Sequence, residues 1–244
     1  MNANNTVEKM RHMRMDAMAG LYHRSLTENL YKDYTLDDYL TLLIDTEWES
    51  RQGRKIDNLM RAAAFKQTAS AADIDYMTVR NLDKNVFERL LGLDFLKRKE
   101  NLIIVGKTGC GKSYLAQSLG VRACELLHRT LYFHCSHFFD QGRLTHLDGS
   151  YPRFFKRLQK AELLIIDDFG LASIDKEARS LLMDVIEDRY DRMSTIITSQ
   201  IPVTEWHPLF GDGIMADAIL DRIVYSSHRI ELNGESLRKK KRLK

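Results

Sequence analysis

Asn101-Leu102-Ile103-Ile104-Val105-Gly106-Lys107-Thr108-Gly109-Cys110-Gly111-Lys112-Ser113 decides the reading of this chain. Its apolar opening suits a buried strand, which runs into G-x-x-x-x-G-K-S and then a helix-forming segment, the setting a P-loop requires. Glycines let backbone N–H groups turn inward around phosphates, and the positive end of the next helix strengthens their pull. Gly106, Lys107, Thr108, Gly109, Cys110, Gly111, Lys112, Ser113 and Tyr114 are therefore the expected ATP-binding residues. Lys112 is placed to reach the β- and γ-phosphates, and the Ser113 hydroxyl to bind Mg2+.

A second motif follows at Glu162-Leu163-Leu164-Ile165-Ile166-Asp167-Asp168-Phe169-Gly170. Four aliphatic residues in a row suit a strand covered on both faces, as in a parallel sheet between helix layers. The two acids close it at the carboxyl end, where open α/β sheets bind ligands. Asp167 fits the Walker-B role of holding Mg2+, and Asp168 that of orienting or deprotonating the attacking water. On their own, two acids after a strand are more often solvated loop residues than catalysts; downstream of a P-loop they read as catalytic.

Around these motifs, strands and helices alternate. Leu131–Phe133, Leu163–Ile166, Thr195–Thr198 and His228–Leu232 read as strands, and the segments around Ala178–Ile186 and Ile219–Val224 as helices. The pattern predicts an α/β fold with a mostly parallel sheet between helices. Residues 1–66 read as a small all-helical N-terminal domain. Val7, Met10, Met18 and Leu21 share one face, and Thr35 is the expected N-cap of a long second helix. Gln67–Ala72 is small and polar, so residues 67–82 are expected to link this domain to an ATPase domain over 83–244, with Asp83–Arg98 as a helix ahead of the P-loop strand.

The 244 residues are 44% hydrophobic, enough for a normal core. Three cysteines, one of them inside the phosphate loop, predict reduced thiols. The polar N-terminus lacks a signal-peptide core, and no run is long enough to span a membrane. A cytoplasmic protein without a membrane partner is expected. The net charge of +3 says little, but its distribution says more. Arg51, Arg54, Lys55, Arg61 and Lys66 form a basic stretch with one acid inside it, Asp57, and six of the last seven residues, Arg238–Lys244, are basic. Such clusters attract phosphate backbones without reading sequence. Charge alone favours a solvated helix face and a solubilising tail. His134-Cys135-Ser136-His137 offers metal-ligand types but has no matching second cluster. Trp48 and Trp206 are expected to pack inside.

Later segments resemble parts of an AAA+ ATPase. Thr198-Ser199-Gln200 ends the strand after Walker B, where sensor 1 sits; Asp221-Arg222 matches the arginine-finger position, and Glu235-Ser236-Leu237-Arg238 the sensor-2 region. The order of pieces, from a helical N-terminal domain through both Walker motifs to Glu205-Trp206, Leu220-Asp221-Arg222 and Gly234-Glu235-Ser236, resembles the IstB-like ATP-binding proteins, relatives of DnaC-type helicase loaders, over almost the whole chain. The resemblance implies an AAA+ core and a transposition helper: an ATPase that forms a homo-oligomer on duplex DNA with ATP and assists a cognate transposase. It also makes Lys112, Asp167, Asp168, Gln200, Arg222 and Arg238 the expected catalytic set, and the basic stretch a DNA contact. Two positions depart from the AAA+ class: Gln200 stands where Asn is commoner, and Asp168 is one methylene shorter than the Glu favoured in many AAA+ sites, although an Asp-Asp pair is familiar in the IstB-like family. A helicase loader acting on single-stranded DNA and a nucleotide-gated scaffold with little turnover are the rival readings.

Overall fold

The computed structural model describes residues 3–78, 80–171, 174–211, 213–225, 227–234 and 236–237. Glu235, Arg238 and the basic tail thus lie outside the described residues. The chain divides into two compact units, residues 1–58 and 59–244.

The first unit holds α1 (Ala3–His12), α2 (Asp16–Glu28) and most of α3 (Leu36–Ala63). Thr35 caps α3 as its sequence predicts, accepting from the Asp38 N–H at 3.2 Å and donating to the Asp38 carboxylate at 2.6 Å. The single apolar face expected over Val7–Leu21 is cut in two at Arg14, whose φ of 58° is left-handed. No proline is needed for this break. The Glu47 carboxylate accepts from the N–H groups of Ala17 and Met18, the first turn of α2, at 3.0 and 3.2 Å. Arg51 holds both sides of the corner, donating to Glu47 at 2.8 Å and to the Arg14 carbonyl at 3.0 Å. Trp48, expected inside, is 62% exposed on α3, in line with the exposed Leu40 and Ile44.

In the second unit α4 (Lys84–Leu91) and α5 (Asp94–Lys97) replace the one helix expected over Asp83–Arg98. Leu93 in the left-handed region breaks it, with Asp83 as the N-cap of α4. Then come β1 (Asn101–Gly106), α6 (Lys112–Glu125), β2 (Thr130–His134), α7 (Cys135–Leu147), α8 (Tyr151–Gln159), β3 (Leu163–Phe169), α9 (Lys176–Arg189), β4 (Ser194–Ser199), α10 (His207–Phe210), α11 (Gly213–Val224) and β5 (Ser227–Leu232). The five strands pair in parallel in the order β2-β3-β4-β1-β5. Alternate residues serve opposite layers. Ile103, Leu164, Ile166 and Ile197 pack with α7, α8, α9 and α11, while Leu102, Ile104, Leu163, Ile165 and Ile196 pack with α4, α5 and α6. Trp206 is fully buried against Phe169, its indole N–H donating to the Ile201 carbonyl at 3.0 Å, as its sequence context predicts.

Gln67 and Ser70, in the stretch expected as a linker, lie against α6. Gln67 N–H donates to the buried Gln117 amide oxygen, and the Tyr114 hydroxyl bonds both to the N–H and to the carbonyl of Ser70. On the other face Arg189 is 2% exposed and donates five hydrogen bonds, to Thr195 Oγ1 and to the carbonyls of Leu158, Ala161, Glu162 and Ser194. It ties the end of α8 to β3 and β4. No helix among the described residues is long and apolar enough to cross a membrane.

Candidate active site

Parallel strands bring the loops after β1, β3, β4 and β5 to one edge of the sheet. The loop after β1 turns on three glycines with positive φ, Gly106, Gly109 and Gly111. A Cβ at Gly106 would meet the Leu232 carbonyl oxygen at 2.5 Å, and one at Gly109 would strike the Ser236 side chain, so neither position admits a larger residue. Three carbonyls of the loop have donors. Lys107 O accepts the Lys112 ammonium at 3.1 Å, Gly109 O accepts Leu237 N–H at 2.9 Å, and Cys110 O accepts Arg80 Nη1 at 3.1 Å. With Lys107 O, Gly109 O and Cys110 O so engaged, and Cys110 N–H turned to Lys107 O at 3.4 Å, the other N–H groups of the loop are left for an anion at the N-terminus of α6. Lys112 itself is 4% exposed, and a phosphate oxygen offers its ammonium a charged acceptor in place of Lys107 O.

Asp167 and Asp168 part company at the end of β3. The ladder with β4 skips from Ile166↔Ile197 to Phe169↔Ser199, so one extra residue bulges, and Asp168 takes a left-handed φ of 57°. Asp167 is buried, accepting from Tyr132 Oη at 2.7 Å and from Thr198 Oγ1 at 2.5 Å. Burial, reinforced by the Asp167 charge, pushes the Tyr132 phenol far up, so it remains a neutral donor. Thr198 uses both sides of its hydroxyl, since it also accepts from Asp168 N–H at 3.0 Å.

Asp168 is partly open. Its oxygens lie 3.4 Å from Gln200 Nε2 and 3.7 Å from His134 Nε2. Gln200 in turn accepts from Thr108 Oγ1 at 2.5 Å, joining the phosphate loop to Asp168 through one amide. The structure therefore brings together Lys112, Asp167, Asp168 and Gln200 with the glycine loop. Ser113 stands in the first turn of α6 and Asp167 at the end of β3. The donor set of a hydroxyl and a carboxylate beside a phosphate loop suits Mg2+, a hard, oxygen-seeking ion. Tyr114 faces Ser70 rather than the loop interior. Cys110 is buried behind the loop, and burial pushes the Cys135 thiol up to about 12.

Other expected residues stand apart. Arg222 on α11 lies with Nε 2.6 Å from Glu187 Oε2, donates to the Ala218 carbonyl, and faces the Tyr190 ring at 5.9 Å. Arg238 is outside the described residues. Arg51 and Arg54 are both engaged with Glu47, at 2.8 and 3.3 Å, while Lys55, Arg61 and Lys66 are exposed. His134, weighed as a metal ligand, instead turns to Asp168 and bonds Ser136 at 2.8 Å. No group of three metal-ligating side chains occurs among the described residues. Tyr132 and Arg80 were not foreseen. Tyr132 reads as an ordinary strand residue, and Arg80 falls in the stretch expected as a linker; no local pattern marks either one.

The sequence model of the family described as IstB-like ATP binding protein matches residues 8–244. Insertion sequence ATP-binding protein y4pL of Sinorhizobium fredii is 40% identical over 244 residues, covering 100% of both chains. The IS21 ATP-binding protein of Pseudomonas aeruginosa is 28% identical over 95% of this chain and 88% of its own. Among solved structures, the DnaC helicase loader overlays with a TM-score of 0.52 at 18% identity, over 65% of this chain and 95% of that one. AMPPCP-bound DnaA from Aquifex aeolicus gives 0.57 at 18% identity, over 71% of this chain and 53% of that one. These two share the AAA+ fold. With both Walker motifs in place on that fold and the family model running from residue 8 to the last, this chain belongs to the IstB-like ATP-binding proteins.

Proposed function

We propose that the protein is a Mg2+-dependent ATPase of the cytoplasm that assembles as a homo-oligomer on duplex DNA and assists the transposase of its insertion sequence. The observation that carries hydrolysis, as distinct from ATP binding alone, is the Thr108–Gln200–Asp168 chain, which couples the phosphate loop to an acid placed at the strand end. In this reading Lys112 and the loop N–H groups hold the β- and γ-phosphates, Asp168 accepts the proton of the attacking water, and Gln200 fixes the geometry between them. Mg2+ held by Ser113 and Asp167 would neutralise phosphate charge as the bond to the γ-phosphorus breaks. Arg222 acts on the nucleotide of a neighbouring subunit, which requires it to leave Glu187.

The DNA and transposase roles rest on family membership and on relatives named for insertion sequences. With Arg51 and Arg54 engaged at Glu47, the exposed Lys55 and Lys66 are the stronger contacts within the basic stretch. The deciding experiment measures binding to matched duplex and single-stranded DNA, with ATP or ADP, at one salt concentration. Length-dependent duplex binding that needs ATP supports the helper. A single-strand preference replaces it with a helicase loader, and absence of DNA binding leaves a nucleotide-gated scaffold.

A further inference from the structure

Arg80 is a buried cation, 4% exposed, for which the described residues supply no ion-pair partner. Nη2 donates to the Asp75 carbonyl at 2.9 Å, Nη1 to the Cys110 carbonyl at 3.1 Å, and Nε has no hydrogen-bond partner. The nearby Asp75 carboxylate is occupied by Thr78 and by the N–H groups of Met77 and Thr78. Burial pushes the Arg80 pKa down, while the fields of Asp75, Cys110 and Tyr76 pull it back. A charge removed from water without a paired counter-charge is costly, and unlike Arg189, whose donors are spent on five hydrogen bonds, Arg80 keeps Nε unpaired and its charge available for use.

Its position says for what. A Cβ on Gly111 would come within 2.5 Å of Nη1, so the guanidinium lies directly against the loop at the residue before Lys112. The Arg80 backbone is fixed too, its carbonyl accepting Asn233 N–H at 2.9 Å, while Asn81 Nδ2 donates to the Glu231 carbonyl. The arginine thus reaches the loop from a segment anchored to the end of β5.

We propose that Arg80 is a positioning residue for nucleotide binding. By holding the Cys110 carbonyl outward it keeps the N–H groups of the loop turned in, and it supplies the fixed positive field whose counter-charge is the polyphosphate of the nucleotide. This rests on the ATP-binding reading of the loop and adds a residue outside the P-loop motif. The effect acts where the loop grips the β-phosphate, so it separates nucleotides by phosphate number.

The test is calorimetric binding of ATP, ADP and AMP to the full chain as wild type, Arg80→Met and Arg80→Lys, with the melting temperature of each protein without nucleotide. In Arg80→Met the Kd for ATP and ADP should rise about 10–100-fold while that for AMP changes by less than about threefold. Arg80→Lys, which keeps the charge, should recover much of the loss. Unchanged ATP and ADP affinity in Arg80→Met overturns the proposal. So does equal weakening of all three nucleotides in both variants in step with a lowered melting temperature, which would make Arg80 a packing residue. Failure of the wild type to bind ATP would instead strike the reading of the loop itself.

Discussion

Thr108 and Gln200 meet at 2.5 Å, the hydroxyl of the phosphate loop donating to the side-chain oxygen of the residue just beyond β4. Since the nitrogen of that amide faces Asp168, the proposed function predicts that changes at Gln200 alter hydrolysis more than binding. Gln200→Ala should lower turnover on the order of a hundredfold while ATP affinity moves little, read by phosphate release and by calorimetry. Gln200→Asn is too short to hold both contacts and should fall between. Equal loss of affinity and turnover would count against this role.

Tyr132 supports Asp167 from behind, and its phenol stays neutral. Tyr132→Phe removes one hydrogen bond from the carboxylate and leaves the ring packing. The Mg2+ concentration for half-maximal turnover should rise about tenfold, with the melting temperature nearly constant. A Mg2+ titration of turnover that overlays on the wild type would remove Tyr132 from the site.

Arg189 concerns stability alone. Burial pushes its pKa down to about 9, against the pull of Asp188, so the cost of the buried charge is carried in full at neutral pH and eases only as pH rises through that value. The five hydrogen bonds offset it. Arg189→Leu leaves four buried carbonyls without this donor and should cost about 3–5 kcal/mol in denaturant unfolding of the second unit. Arg189→Lys should rescue little, because an ammonium cannot spread its donors as the planar fork does.

Glu47 predicts an acid-sensitive corner in the first unit. Burial works against its charge, but Arg51 and the N–H groups of Met18 and Ala17 outweigh it, so its carboxyl lies below the ordinary 4.5. A depressed folded value means that the contribution is present above the unfolded value and is lost as pH falls through the folded one. Helix melting of wild type and Glu47→Gln should therefore differ most near neutral pH and converge in acid. A constant gap across the titration would assign the effect to packing.

The sequence carried the parts of the fold that are written locally. The glycine loop, the apolar strands ending in Asp167 and Asp168, and the Thr35 cap all signal themselves within a few residues, and the structure places them as their patterns predict. What was illegible depends on partners far along the chain. The break at Arg14 comes from Glu47 and Arg51, more than thirty residues away. The split of the helix over Asp83–Arg98 is a local exception, where the chain turns at Gly92, the C-cap of α4, and at the left-handed Leu93. Tyr132 gains its role only because β2 lies beside β3, and Arg80 because its segment folds back beneath the loop. Trp48 shows the reverse failure: its size suggested burial, yet α3 presents it outward.

The left-handed backbone at Asp168 explains why the shorter acid stands there. Asp and Asn tolerate that conformation far better than longer side chains do. Restoring a glutamate would therefore not simply extend the reach of the carboxylate by a methylene. It would first have to unbend the bulge, and with it the Thr198 contact that sets Asp167. A search for faster variants has to begin with the strand beneath the acid, because the bulge and the side chain it carries change together.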